Sequence, residues 1–139
     1  MITEIEKAYA AGLIDGEGCI RIARNLKGKK EWNDQYYLEV NVHITDYEVL
    51  KWLRKKWRGS ILKRKKETHW KDNWNWKITA EGAKEFLRDI QPFSIIKKRE
   101  IGLALTFPEF HGQRKFGTSE TIQQVRIQLK QKLSEMKVS

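Results

Sequence analysis

From Tyr37 to Ile44 the chain alternates without a break, and this stretch restricts the fold more than any other. Leu38, Val40, Val42 and Ile44 point one way, and Tyr37, Glu39, Asn41 and His43 point the other. Successive side chains of a strand leave opposite faces, so the segment reads as a strand with one core face and one polar face. Such a strand belongs in an antiparallel sheet covered on its apolar side alone. Its neighbours are visible. Cys19 to Arg24 alternates, with Ile20 and Ile22 opposite Arg21, and Asn25 to Asp34 reads as a polar, glycine-containing hairpin tip. Ile61 to Lys66 and His69 to Ile78 read as a second strand pair, in which Trp74, Trp76 and Ile78 oppose Asn73, Asn75 and Lys77.

Helical spacing fills the intervals. Thr3 with Glu6 reads as a capping box ahead of Ile5, Ala8, Tyr9, Gly12 and Leu13, and this helix is expected to stop through a left-handed glycine at Gly16 or Gly18. Thr45 with Glu48 reads as a second box, opening a helix to Trp57 that turns Val49, Leu50, Leu53 and Trp57 inward before Gly59. A third helix is expected from Thr79 to Ile90. Pro92 then breaks the chain, and Ser94 is placed to cap a fourth helix reaching Phe107. A last helix from Ser119 to Met136 sets Ile122, Val125, Leu129 and Leu133 on one stripe. The order α-β-β-α-β-β-α-α-α predicts an α+β fold, a single antiparallel sheet with helices on one face and the other face bare. With 139 residues and no linker or repeat, residues 1–139 are expected to form one domain.

That bare face is where composition matters. Lys and Arg number 28 against 18 Asp and Glu, a formal charge of +10, which attracts a polyanion without choosing which one. No apolar run approaches the roughly 20 residues of a spanning helix. The N-terminal MITEIEKAYAAGLIDGEG carries acids where a signal peptide carries bases. No membrane partner is therefore expected, and the expected location is intracellular. The single Cys19 rules out an internal disulfide and a Cys-cluster zinc site, and His43, His69 and His111 lie too far apart in sequence to form a zinc pair. Trp52, Trp57, Trp74 and Trp76 have core spacing, whereas Trp32 and Trp70 fall near hairpin tips.

The segment from Ala10 to Gly18 carries the chemistry. Unpaired carbonyls make a helix C-terminus partly negative, so Asp15 and Glu17 stand where acids are disfavoured. A positive group should compensate, and a hard divalent cation held by carboxylate and backbone carbonyl is a natural candidate. Ala8, Ala11 and Gly12, with Gly16 a turn on, form a small-residue stripe that permits close approach of another helix. If the partner is a second copy, the acidic ends meet on a twofold axis and form a two-metal phosphodiesterase centre. The alternative is a surface turn whose glycine is a packing accident, and spacing alone leaves both open.

AAGLIDGEG resembles the LAGLIDADG motif of homing endonucleases, matching at Ala11, Gly12, Leu13, Ile14, Asp15 and Gly18. It departs at Ala10, Gly16 and Glu17, the last keeping a carboxylate. The order of elements is also similar to that family's, and Gln91-Pro92-Phe93 before Lys97, Lys98 and Arg99 is a second local match. The resemblance implies saddle-shaped sheets in the DNA major groove and, with one motif per chain, a homodimer on a long near-palindromic site. It implies Glu17 as catalytic metal ligand with the Gly16 carbonyl beside it, and Mg²⁺ as cofactor, with Mn²⁺ or Ca²⁺ able to substitute. It implies Lys97, and more weakly Asp46, as catalytic residues of the solvent network at the scissile phosphate. Asp46 has a simpler role as a helix cap. Ala8, Ala11, Gly12 and Asp15 are the implied dimer interface. The implied reaction is metal-assisted hydrolysis of one phosphodiester on each DNA strand, leaving short 3′ overhangs.

Strand parity then gives the expected DNA-binding surface. Tyr37, Glu39, Asn41 and His43 face the groove with Arg21, and Arg24 and Lys27 lie near the hairpin tip. Lys63 and Lys65, then Asn73, Asn75 and Lys77, complete the surface. Arg pairs with guanine, Asn with adenine and Glu39 with cytosine, while lysines hold phosphates. Two other readings remain. One is a cleavage-inactive relative, an intron-splicing maturase binding its intron RNA or a DNA-binding regulator. The other is an unrelated nucleic-acid-binding domain, monomeric and indifferent to divalent metal.

Overall fold

A computed structural model describes residues 1–25, 35–64, 72–108 and 120–138. Lys27, Lys65, Trp32, Trp70, His69 and His111, singled out above, lie outside the described residues. Helix α1 spans Glu4–Glu17, β1 Gly18–Asn25, β2 Gln35–Ile44, α2 Tyr47–Trp57, β3 Ser60–Arg64 and β4 Asn73–Thr79. Helix α3 spans Ala80–Ile90, a 3-10 turn covers Gln91–Phe93, α4 spans Lys98–Ala104 and α5 spans Glu120–Val138. The strands make one four-stranded sheet in the order β1-β2-β4-β3, antiparallel throughout. The α+β reading therefore holds. Among the described residues no helix is long and apolar enough to cross a membrane.

The period-two pattern does what the sequence requires of it. Ile20 and Ile22 of β1, Leu38, Val40 and Val42 of β2, and Trp76 and Ile78 of β4 are buried on one sheet face. Ala10, Ala11 and Ile14 of α1, Leu50, Leu53 and Trp57 of α2, and Ala83, Phe86, Leu87 and Ile90 of α3 close over them. The aromatic rings interlock edge to face, Trp52 on Trp57 at 5.8 Å, Trp57 on Phe86 at 5.0 Å and Phe86 on Trp76 at 5.2 Å. Trp76 also donates its indole N–H to the Arg58 carbonyl at 2.8 Å, so its one polar atom is satisfied inside the core. That contact explains Gly59, whose φ is +90° and whose Cβ would sit 2.7 Å from both the Lys77 carbonyl and the Trp76 indole nitrogen.

Two helix starts differ from the sequence reading, and so does the buried stripe of the last helix. The Thr3–Glu6 box is present in both directions, at 2.9 and 3.1 Å. The cap of α2, however, is Asp46, which accepts from the Val49 N–H at 3.2 Å, so the Thr45–Glu48 box is displaced by one residue. Helix α4 starts only at Lys98, because Ser94 is engaged elsewhere. Helix α5 buries Gln123, Arg126, Leu129 and Leu133 and leaves Val125 exposed. Arg126 is accommodated because its guanidinium donates to the Pro108 carbonyl at 3.1 and 2.8 Å and lies 5.0 Å over the Phe107 ring. The same helix flanks the free edge of β1. Lys130 and Lys137 donate to the Ile22 and Ile20 carbonyls at 2.8 and 2.6 Å, covering acceptors that an edge strand otherwise exposes.

The exit from α1 also differs. Gly18 is extended, with φ −89° and ψ 162°, not left-handed. Its glycine is required by contact instead, since a Cβ there would lie 2.8 Å from the Ile14 Cα. Gly18→Ala is expected to cost about 2 kcal/mol through this overpacking. In a urea melt the loss should appear as a lower midpoint at unchanged slope.

Candidate active site and nucleic-acid interface

One side of α1 is uncovered. Ile5 and Tyr9 are 83 and 60 % exposed, and Ala8, Gly12 and Gly16 continue the same exposed stripe. Among the described residues a Cβ on Gly12 or Gly16 would meet nothing within 4 Å, so their packing has no need of glycine at either position. Ala11 is corrected here. It is fully buried against the sheet, and its side chain belongs to the core and not to a surface open to a partner. On the flank of the stripe, Tyr9 meets Trp52 edge to face at 5.3 Å, and Lys56 pairs with Glu6 at 2.7 Å. That antiparallel order carries the start of α2, and with it Asp46, toward the Glu17 end of α1. Lys56 first, then the Thr3 N–H, hold the Glu6 carboxyl down at about 2.

Asp15 does not stand free at the helix end, as an interface acid would. Its Oδ1 accepts from Ser94 Oγ at 2.6 Å and from the Lys97 N–H at 3.1 Å. Its Oδ2 accepts from the Ile95 and Ile96 N–H groups at 2.8 and 3.1 Å. Burial alone would push this carboxyl up, but the four hydrogen bonds together outweigh it and hold the group below its ordinary value. The placement of Asp15 at the dimer interface is therefore corrected in its side chain, which binds the 94–97 segment within the same chain. The amine of Lys97 returns to donate to the Asp15 carbonyl at 3.0 Å. A lysine supplied from 82 residues along the chain thus gives the α1 C-terminus the positive partner that its own last turn lacks.

Glu17 is the contrast. It closes α1, is exposed, and has no hydrogen-bonding or ionic partner among the described residues. Folding thus uses one acid of the motif as a cap and leaves the next one free, two residues from the carbonyl that holds Lys97. Asp46 satisfies its helix as a cap with a single oxygen.

The other sheet face is polar, and cross-strand register assembles it. Arg21 faces Glu39, Asn41 faces Lys77 and His43 faces Asn75. Glu39 and Asn41 are nevertheless 4 and 7 % exposed, being enclosed by neighbours on their own face. Tyr37 shares the face and lines a shallow depression with Lys77 and Thr79. Asn73 and Asn75 lie opposite Arg64 and Leu62, and among the described residues their amide oxygens accept no hydrogen bond. Lys63 is a correction. It pairs with Trp74, on the parity of Trp76, and its amine sits 5.5 Å over the Trp74 ring and 3.1 Å from Asp72. The β3 residues on the polar face are Ser60, Leu62 and Arg64, which the sequence reading missed. A five-residue strand with Ile61 as its one inward anchor gives too short an alternation to fix parity. Arg24 likewise follows the parity of Ile20 and Ile22, and lies exposed at the far end of β1.

The helix-backed antiparallel sheet, with its exposed motif helix, is the fold of the homing endonucleases on which it superposes. The structure superposes on that of the homing endonuclease I-CvuI in complex with the I-CreI DNA target in the presence of Mg, with a TM-score of 0.76 at 17 % identity, covering 94 % of this chain and 81 % of that one. It is similar to the archaeal intron-encoded homing endonuclease I-Vdi141I complexed with DNA, with a TM-score of 0.72 at 15 % identity over 95 and 84 % of the two chains. The I-LtrWI LAGLIDADG homing endonuclease bound to target DNA matches with a TM-score of 0.66 at 18 % identity, over 91 % of this chain and 43 % of its own. No curated protein sequence matches significantly. The LAGLIDADG endonuclease family model matches residues 10–103. The chain belongs to that family, and so to the nucleases.

Proposed function

We propose that this chain is one half of a homodimeric DNA endonuclease that hydrolyses both strands of a near-palindromic duplex, using a divalent cation and leaving 3′ overhangs. The observation that carries the reading is the run of exposed residues Ile5, Ala8, Tyr9, Gly12 and Gly16 ending at Glu17, unpaired among the described residues. Glycine inside a helix costs about 1 kcal/mol relative to alanine, and neither Gly12 nor Gly16 recovers that through a contact with the described residues. A closely packed second helix recovers it. Ile95 and Ile96, 86 and 74 % exposed, are tied to the same helix end through Asp15 and add apolar area beside the stripe. Two copies meeting there bring two Glu17 carboxylates together under a polar sheet face assembled from both.

The donor set fits a hard cation shared between chains. Among the described residues no three His, Cys, Asp or Glu side chains gather in one place, so a protomer offers one carboxylate and the α1 terminal carbonyls, and not a complete shell. Glu17 and the Gly16 carbonyl are the groups that would hold it, with the partner's Glu17 and phosphate oxygens of DNA completing the set. When bound, the cation supplies the positive charge that makes water a nucleophile and stabilises the departing 3′ oxygen. The protein's own groups hold and orient. Lys97, fixed by its bond to the Asp15 carbonyl, keeps two amine protons for solvent or phosphate near the scissile bond. Asp46 keeps an oxygen for the same water network. Arg21, Tyr37, Asn41, His43, Asn73, Asn75 and Lys77, with Glu39 among them, form the groove-facing surface.

The test is incubation of the purified protein with random-sequence duplexes in Mg²⁺ and in EDTA, beside sedimentation. Recurrent double-strand cuts centred on a near-palindrome, present in Mg²⁺ and absent in EDTA, are expected. Selective binding without cuts would replace this reading with the maturase or regulator. In Gly12→Glu a charge enters the proposed helix contact, so the dimer dissociation constant is expected to rise about a hundredfold or more. The monomer should melt no lower, because Glu is the better helix former. A dimer unaffected by this substitution would move the interface elsewhere.

A further inference from the structure

Glu39 is out of place on a surface built for a polyanion. It lies on the polar sheet face, where a carboxylate repels phosphate, and it is 4 % exposed, so it meets little solvent even before DNA arrives. Three groups hold it. Arg21 Nε lies 2.9 Å from its Oε2, Asn41 Nδ2 donates to the same oxygen at 2.9 Å, and Lys77 Nζ stands 3.9 Å from its Oε1. They come from three strands. Arg21 is the cross-strand partner of Glu39 on β1, Asn41 is its same-face neighbour on β2, and Lys77 is the partner of Asn41 on β4.

This arrangement restricts the two side chains best suited to reading bases. With Nε held on Glu39 at 2.9 Å, the guanidinium is tethered through its inner nitrogen, and its terminal amino groups are the donors left for a further acceptor. The Arg21 side chain is 52 % exposed where that of Glu39 is 5 % exposed, so the cation reaches solvent and the carboxylate is enclosed. Those amino groups are the donor set that pairs with the O6 and N7 of guanine. Asn41 is fixed in another sense. A carboxylate only accepts, so the amide nitrogen must turn toward Glu39 and the amide oxygen away. One carboxylate oxygen therefore both tethers an arginine and sets an amide flip.

We infer that Glu39 is a positioning residue, not a base reader, and that it sets sequence preference by fixing Arg21 and Asn41. The inference rests on the proposed DNA reading. It has a consequence that a merely structural role lacks. Glu39 lowers general affinity, since its charge opposes phosphate and occupies two cations, while raising selectivity, since a preorganised fork loses less freedom on binding its own base. Released from it, Arg21 and Lys77 are free to follow the backbone of any sequence. Affinity for random DNA and preference among sequences should then move in opposite directions.

The experiment selects random-sequence duplexes in EDTA, so that binding alone is read, with the full chain, Glu39→Gln, Arg21→Ala and the double variant. Arg21→Ala and Asn41→Ala, selected in the same way, identify the base pairs read by each side chain. At those pairs Glu39→Gln is expected to lose about tenfold in preference and elsewhere to keep it. It should bind unselected duplex several-fold more tightly with a steeper salt dependence, by up to about one counterion. At the pairs read by Arg21 the double variant should lose no more preference than Arg21→Ala alone, because one interaction is removed twice. Glu39→Asp keeps the charge but shortens the reach, and is expected to fall between, which serves if the Gln variant does not fold. Full retention of preference in Glu39→Gln, or an even loss at all pairs with weaker binding of unselected duplex, would overturn the inference and leave the DNA reading standing. A wild-type chain that selects no sequence would overturn both.

Discussion

Glu17→Gln is expected to reduce metal-dependent DNA cleavage by on the order of a thousandfold or more, while leaving the chain as stable as before or slightly more so. The two halves of the expectation have one cause. Glu17 is exposed at the last position of α1 and unpartnered among the described residues, so no native contact is lost when its charge is removed. A negative charge at a helix C-terminus is unfavourable by roughly 0.3–1 kcal/mol, and glutamine relieves that. An amide, however, is a far poorer ligand for a hard cation than a carboxylate. Cleavage of a selected duplex in Mg²⁺ measures the first half and a thermal melt without metal measures the second. DNA binding should persist in the variant. Cleavage surviving at a tenth of the original rate would remove Glu17 from the metal site, and a large drop in melting temperature would show it to be structural.

The polar face, the core face and the helix order were legible because burial leaves a period in the sequence. Leu38, Val40 and Val42 are uninterrupted, and their register then places Ile20, Ile22, Trp76 and Ile78 without further information. Parity fails where a strand is short and one-anchored, which is why Lys63 lies on the face opposite to the one expected. The motif was legible as a motif, but not the division of labour inside it. Asp15 and Glu17 are both acids at a helix end, and only the arrival of Ser94 and Lys97 from 79 and 82 residues away decides which one is a cap. No local rule predicts a partner at that separation. The same holds for Glu39, whose alternation gives its face but not its enclosure by Arg21, Asn41 and Lys77.

Asp15→Ala is expected to destabilise the protein by about 3 kcal/mol, lowering the melting temperature by about 10 °C. Four donors converge on this carboxylate, three of them backbone N–H groups of residues 95–97 that have no intrahelical partner ahead of α4. Removing it leaves all four to be satisfied by water in a half-enclosed site. Asp15→Asn should be nearly as harmful, because its amide presents two hydrogens to groups that are themselves donors. The pH dependence follows from the direction of the shift. The folded carboxyl lies below its ordinary value of about 3.9, so its contribution is complete above that pH and is lost as pH falls through the folded value. Wild type should therefore lose stability to acid in that window, and Asp15→Asn should lose less there. Cleavage should fall as well, even where the variant remains folded, because the 94–97 segment carries Lys97 and its anchor on the α1 carbonyl. A variant that melts lower but cuts at the wild-type rate would confine Asp15 to the fold and release Lys97 from the catalytic site.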